Sequence, residues 1–162
     1  MAKLIAICGK VCSGKSYYAK NLREKENAVI LSCDDVTMTL FDNDLGDNHD
    51  VMVKKIMTHL KDLSIKIINT NTNVILDWGF WSKKDREELT EFYRNNNIPI
   101  EWYYICVDDE TWNKNIEERN KRVEEGNGGS DFHVGEGLKN KVLSRWDEPT
   151  KEEIDFWIDL KR

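Results

Sequence analysis

Gly9-Lys10-Val11-Cys12-Ser13-Gly14-Lys15-Ser16 carries the spacing G-x-x-x-x-G-K-[ST] of a P-loop. Each fixed position has a physical task. The glycines let the backbone curl until several N–H groups converge on one anion. Lys15 brings a mobile positive charge to the outer phosphates, and Ser16 offers a hydroxyl to Mg²⁺. With ordinary residue usage the pattern arises by chance in about one chain of this length in two hundred, and its neighbours sharpen it. Leu4 to Cys8 is a short apolar run suited to a buried parallel strand, and Tyr17 to Arg23 can form a helix. Strand, glycine loop and helix are the setting the motif requires, and the positive end of that helix adds to the anion site. The expected nucleotide-binding set is therefore Gly9, Lys10, Val11, Cys12, Ser13, Gly14, Lys15, Ser16 and Tyr17.

The remainder of the chain reads as one α/β domain over residues 1–162, with no internal repeat or low-complexity tract. Ala28 to Ser32 is a second short strand ending at Asp34-Asp35. Ligands of open parallel sheets bind at the carboxyl ends of strands, which sets both aspartates beside the loop. Residues 42–50 form a polar loop whose glycine spacing fails the calcium pattern. Val53, Ile56, Leu60, Leu63 and Ile67 make the apolar stripe of a helix, with His59 on its surface flank. Val74-Ile75-Leu76-Asp77 is a buried strand ending in a carboxylate, the Walker B arrangement that aims an acid at the Mg²⁺ shell. Ser82 to Asp85 opens a helix with Leu89 and Phe92 inward, and Ile100 to Val107 is a further strand.

Asp108 or Asp109 caps a helix reaching about Glu125. With Trp112 at the centre of its inner face, a 100° step puts Arg119 about 20° away, where leucine is the ordinary choice, and Arg122 at the edge. An inward arginine needs an anionic partner, either a structural carboxylate or a transferring phosphate. The glycine-rich Gly126 to Ser130 follows as a hinge or a plain linker, so residues of about 109–137 form a candidate lid. Leu138, Val142, Leu143 and Trp146 suggest a short helix. Thr150-Lys151-Glu152-Glu153 reads as the capping box of a last helix carrying Ile154, Trp157 and Ile158.

Net charge −6 argues against a face that tracks long nucleic acid. The four cysteines lack a metal-site pattern and fit reduced thiols. No apolar run approaches a membrane span, and a cytoplasmic protein, monomer or homodimer, is the expectation. Guanine-specific switches need N-K-x-D after a strand. Asn113-Lys114 continues Asn115-Ile116 inside a helix and lacks the x-Asp that the pattern needs. The features assemble instead as a phosphotransferase, with Ser16 and Asp77 on the metal and positioning plus charge stabilisation as the catalytic means.

The P-loop, Asp34-Asp35, Val74 to Trp81, and Arg119-Asn120-Lys121-Arg122 together resemble the compact P-loop kinases of the polynucleotide-kinase, zeta-toxin and chloramphenicol-phosphotransferase type, over about residues 3–149. Phe132-His133-Val134 and Trp146 to Pro149 are also similar to that group. The resemblance implies a three-layer α/β/α sandwich around a parallel sheet of about four strands in the order 2-3-1-4, with a helical lid. It implies ATP and Mg²⁺ as cofactors, Asp34 as general base, and a catalytic set of Asp34, Lys15, Arg119 and Arg122. One departure is informative. Polynucleotide kinases carry an arginine just after the aspartate pair, where this chain has Val36-Thr37-Met38. Asp35, Asp42, Asp44, Trp78 and Trp81 then stand as the acceptor-side candidates, and acids beside aromatic faces suit a neutral or cationic small molecule. The alternatives are a polynucleotide or nucleoside kinase, and a nucleotide-binding switch with no acceptor.

Overall fold

The computed structural model describes residues 1–129 and 131–160. Five parallel strands form one sheet in the order β2-β3-β1-β4-β5. They are β1 (Leu4–Cys8), β2 (Ala28–Leu31), β3 (Asn73–Gly79), β4 (Ile100–Cys106) and β5 (Phe156–Asp159). The helices are α1 (Lys15–Glu26), α2 (Cys33–Phe41), α3 (His49–Ile68), α4 (Lys83–Asn95), α5 (Asp109–Glu124) and α6 (Glu136–Arg145). The expected order of the first four strands is the observed one, and a fifth extends it.

β1 is buried along its whole length, because a central parallel strand is covered on both faces. Its alternation divides the core. Leu4, Ala6 and Cys8 join Leu60 of α3 and Leu89 and Tyr93 of α4 on one side. Ile5 and Ile7 meet Ala19 and Leu22 of α1 on the other. The apolar cluster at the strand ends matters most for the site. Val11 and Cys12 of the P-loop pack there with Trp112 and Ile116 of α5, Val134 and Val142. The lid is thereby built onto the phosphate loop itself.

Four expectations are corrected. The last segment is a strand and not a helix. Thr150 and Glu153 do pair as a capping box, with the Thr150 N–H donating to Glu153 Oε2 at 2.8 Å, but only a turn follows. The chain then pairs Phe156 to Asp159 with Tyr103 to Cys106, and Phe156 stacks on Tyr103 at 4.5 Å. Asp34 and Asp35 lie in the first turn of α2, whose N-cap Ser32 accepts the Asp35 N–H. The polar loop is shorter than 42–50, since Gly46–Asn48 form a 3-10 turn and α3 already begins at His49. On α4, Leu89 is buried as expected, but Tyr93 is the fully enclosed aromatic and Phe92 packs beside it at the margin.

Candidate functional site

The phosphate loop leaves β1 at Cys8 and enters α1 at Lys15. Gly9 fits because nothing larger can. A Cβ there would lie 2.7 Å from Ser13 Oγ and 3.0 Å from the Ile105 carbonyl oxygen. Gly14 caps α1 with φ of 99° and no side-chain cap, so the first N–H groups of the helix stay available to an anion. The outward side of the loop is held by the lid helix. Trp112 Nε1 donates to the Val11 carbonyl oxygen at 2.6 Å and Asn115 Nδ2 to that of Cys12 at 3.0 Å. The Lys10 ammonium lies over the rings of Trp112 and Trp146. With carbonyls engaged on one side, such a loop keeps its N–H groups for a phosphate on the other. Ser13 Oγ is buried and has no protein partner among the described residues.

Lys15 occupies the junction of two cavities. One, of about 210 Å³, runs between the loop and α5 and is lined by Gly14, Ser16, Tyr17, Arg119, Arg122 and Asp131. The other, of about 570 Å³, lies toward the ends of β2 and β3 and contains Asp34, Asp77, Trp78 and Trp81. Lys15 lines both, and its Nζ donates to the Lys10 carbonyl oxygen at 2.9 Å. Burial pulls its pKa down, opposed by the charges of Asp77 and Asp34.

The two aspartates share that field. Loss of hydration is the largest effect on each. It pushes Asp77 up to about 6 and raises Asp34 as well, while Lys15 pulls both back and Arg119 also lowers Asp34. Asp34 is open to the cavity, and Asp77 is half-buried against it. Ser16 Oγ donates to Asp77 Oδ2 at 3.4 Å, so a hydroxyl and a carboxylate converge on one spot. No group of three or more His, Cys, Asp or Glu side chains gathers to hold a metal among the described residues. Two oxygen donors that leave the other positions to water and phosphate are what Mg²⁺ takes beside a P-loop. The residues fit the ion.

Across the smaller cavity, Arg119 is 17 % exposed and Arg122 is 52 % exposed, matching their inner and edge positions on the helix. Asp131 faces both, with Nη2–Oδ distances of 3.6 Å from Arg119 and 3.4 Å from Arg122. The segment bearing Asp131 is pinned to α5 by Asn120, whose amide exchanges two hydrogen bonds with the Val134 backbone at 2.8 and 2.7 Å. Gly126 and Gly129 adopt left-handed backbone on the way there, while Ser130 of the expected hinge lies outside the described residues.

The acceptor-side candidates divide. Trp78 and Trp81 line the larger cavity with Asp34. Asp35 is exposed on α2, and its charge reaches Asp34 and Asp77. Asp42 and Asp44 are not in the cavity wall. Asp42 is the left-handed C-cap of α2, and Asp44 Oδ1 accepts the Gly46 N–H at 3.2 Å. Sequence reasoning missed the loop clamps Trp112 and Asn115, and it missed His49, His133 and Lys141 in the cavity wall. Trp112 was legible as an inward residue, but its indole donor was not.

The sequence matches the AAA domain family over residues 4–147. No curated protein matches it. Among solved structures it is similar to the Mycobacterium tuberculosis APS kinase CysC in complex with AMPPNP and APS (TM-score 0.69, 15 % identity, 99 % of this chain and 90 % of that one). It is also similar to Chaetomium thermophilum Kti12 in complex with ADP-AlF3 (TM-score 0.68, 18 % identity, 97 % and 88 %). A sugar kinase from Janibacter sp. HTCC2649 follows (TM-score 0.66, 12 % identity, 98 % and 86 %). At these identities the likeness is one of fold.

Proposed function

The chain belongs to the AAA domain family, and from that premise we propose that it is an ATP- and Mg²⁺-dependent phosphotransferase acting on a hydroxyl of a small molecule. The observation that carries this reading is the placing of Lys15 between two cavities. A nucleotide-binding switch needs only one. A kinase needs a second space across the phosphate, with a base in it, and Asp34 lines that space. The fold shared with CysC, which binds both AMPPNP and APS, supports the same division.

In this reading the loop and the N-terminus of α1 hold the phosphate chain, and Lys15 follows the charge on the γ-phosphate. The acceptor hydroxyl oxygen forms a bond to Pγ as the bond from Pγ to the β–γ bridging oxygen breaks. ADP departs with that electron pair, and Asp34 takes the hydroxyl proton. A carboxylate raised by its site is a better base than a fully hydrated one. Arg119 and Arg122 exchange Asp131 for the equatorial oxygens of the transferring group. Mg²⁺ at Ser16 and Asp77 would offset charge on the phosphate oxygens. The four free cysteines accord with a reducing cytoplasm, and no helix among the described residues is long and apolar enough to cross a membrane.

Titration with AMPPNP, with and without Mg²⁺, tests the nucleotide half. Binding should be strengthened by the metal in the native protein and lose that gain in Asp77→Asn. Absence of nucleotide binding would end the proposal.

A further inference from the structure

The larger cavity is not uniformly acidic. Its loop end holds Asp34 and Asp77 beside Lys15. It is also lined by Lys141 from α6, His49 from the start of α3 and His133 from the segment before α6. These three reach one cavity from positions 92 residues apart in the chain (141 − 49 = 92). His49 and His133 are about half exposed, and each has a carboxylate nearby: Asp50 Oδ1 at 3.4 Å and Glu124 Oε1 at 3.7 Å. Lys141 is half-buried; its backbone carbonyl oxygen accepts from Ser144 Oγ at 2.9 Å, and its side chain makes no ion pair or hydrogen bond among the described residues. Its charge, with that of Arg145, reaches Asp50 beside His49. After burial, which raises it, Asp34 is acted on chiefly by the charges of Lys15, Arg119, Asp35 and Asp131. Lys141 and the proposed base Asp34 line one space, and Trp78, Trp81 and Phe132 add aromatic faces to it.

Lys141 lines the cavity that also holds Asp34, and a lysine ammonium makes charge-assisted hydrogen bonds to a carboxylate or phosphate that are stronger than neutral ones. We propose that the acceptor is an anionic hydroxyl compound, with its carboxylate or phosphate held by Lys141 between His49 and His133 and its reacting hydroxyl directed to Asp34. The inference rests on the phosphotransferase reading and names the substrate class within it. It also replaces the neutral or cationic acceptor expected from the acids of 42–50, because Asp42 and Asp44 serve turns while Lys141 lines the cavity. The volume of about 570 Å³ suits a metabolite and not a polymer.

Transfer from labelled ATP is to be measured against matched pairs of acceptors: gluconate and glucose, glycerate and glycerol, ribose 5-phosphate and ribose, with glucosamine as the cationic arm. The carboxylates and the phosphate ester separate the two sources of anion. Lys141→Met and Lys141→Arg are measured alongside, with AMPPNP binding as the check on folding. The expected result is transfer to an anionic member in preference to its neutral partner. Lys141→Met should raise KM for it by roughly tenfold to a hundredfold, with kcat and AMPPNP affinity retained and partial rescue in Lys141→Arg. Preference for a neutral or cationic acceptor, or an anionic one indifferent to Lys141→Met, would overturn the inference and leave the kinase. No transfer to any acceptor by protein that binds AMPPNP would overturn the kinase reading and this inference with it.

Discussion

On the nucleotide side of Lys15 the protein uses eight consecutive residues, backbone curvature and one helix terminus. The cavity proposed for the acceptor is lined by side chains from the starts of α2 and α3, the end of β3, the segment at 132–133 and α6. The first region is defined by local geometry, in which Gly9 and Gly14 have no substitutes. The second is defined by tertiary assembly of side chains from separate elements. A binding site for a common cosubstrate can be local and invariant in form. A site that chooses one acceptor gains its character from distant parts of the chain.

Arg119→Ala should produce the largest effect within this comparison. Arginines that stabilise a transferring phosphoryl group contribute about a thousandfold or more to turnover. Steady-state transfer should fall by roughly that factor while AMPPNP affinity changes little. A comparable loss in AMPPNP affinity would move Arg119 from transition-state stabilisation to ground-state nucleotide binding.

Trp112→Phe tests whether α5 shapes the loop. It keeps the ring in the lid cluster and removes the donor to the Val11 carbonyl oxygen. Leaving that buried acceptor unpaired should weaken AMPPNP binding by roughly tenfold, read by titration, with a folded protein by circular dichroism. Unchanged affinity would make the loop independent of its lid.

Acidity separates Asp77, the proposed metal ligand, from its surroundings. Asp77 has its pKa raised to about 6 from 3.8, so the folded state binds its proton more tightly than the unfolded chain does. The sign follows. Asp77 imposes no penalty below the unfolded value. The penalty grows as pH rises from about 4 to about 6 and is complete above that. In metal-free protein Asp77→Asn should therefore raise the thermal midpoint at pH 7.5 and lose that advantage as pH falls toward 4. Mg²⁺ should protect the native protein more at pH 7.5 than at pH 5. Thermal scans across pH, with and without Mg²⁺, check both.

The smallest expected effect is at Asp131, a partly exposed partner of both lid arginines. Asp131→Asn frees them for the nucleotide, and AMPPNP affinity should improve by about twofold to fivefold. Weaker binding would show that Asp131 positions the arginines instead of competing for them.

The same contrast explains what could be read in advance. Gly9 to Ser16 carries its structure in its spacing, and Asp34 and Asp77 follow from where apolar runs end in a parallel sheet. Arg119 was legible because one charge interrupts an apolar stripe. The C-terminal strand was misread because Thr150 and Glu153 do form a cap, while Ile154, Phe156, Ile158 and Leu160 alternate with a period of two that only pairing with β4 reveals. Asp42 and Asp44 looked like a site because they are acidic and close in sequence, yet neither lines the cavity: Asp42 caps α2 through its backbone N–H, and Asp44 Oδ1 accepts the Gly46 N–H. His133 lay in a stretch singled out for its resemblance, but nothing in the sequence joined it to His49 and Lys141, which meet it only through the shared cavity.

The central claim is that Asp34 serves an acceptor hydroxyl across the phosphate from Arg119. It is tested most directly by following labelled ATP in the native protein and Asp34→Asn, separating phosphorylated acceptor from free phosphate, with AMPPNP affinity measured in both. The expected result is labelled acceptor from the native protein, a loss of about a hundredfold to ten-thousandfold in Asp34→Asn, and equal AMPPNP affinity. Release of free phosphate alone, at the same rate in both proteins, would contradict it.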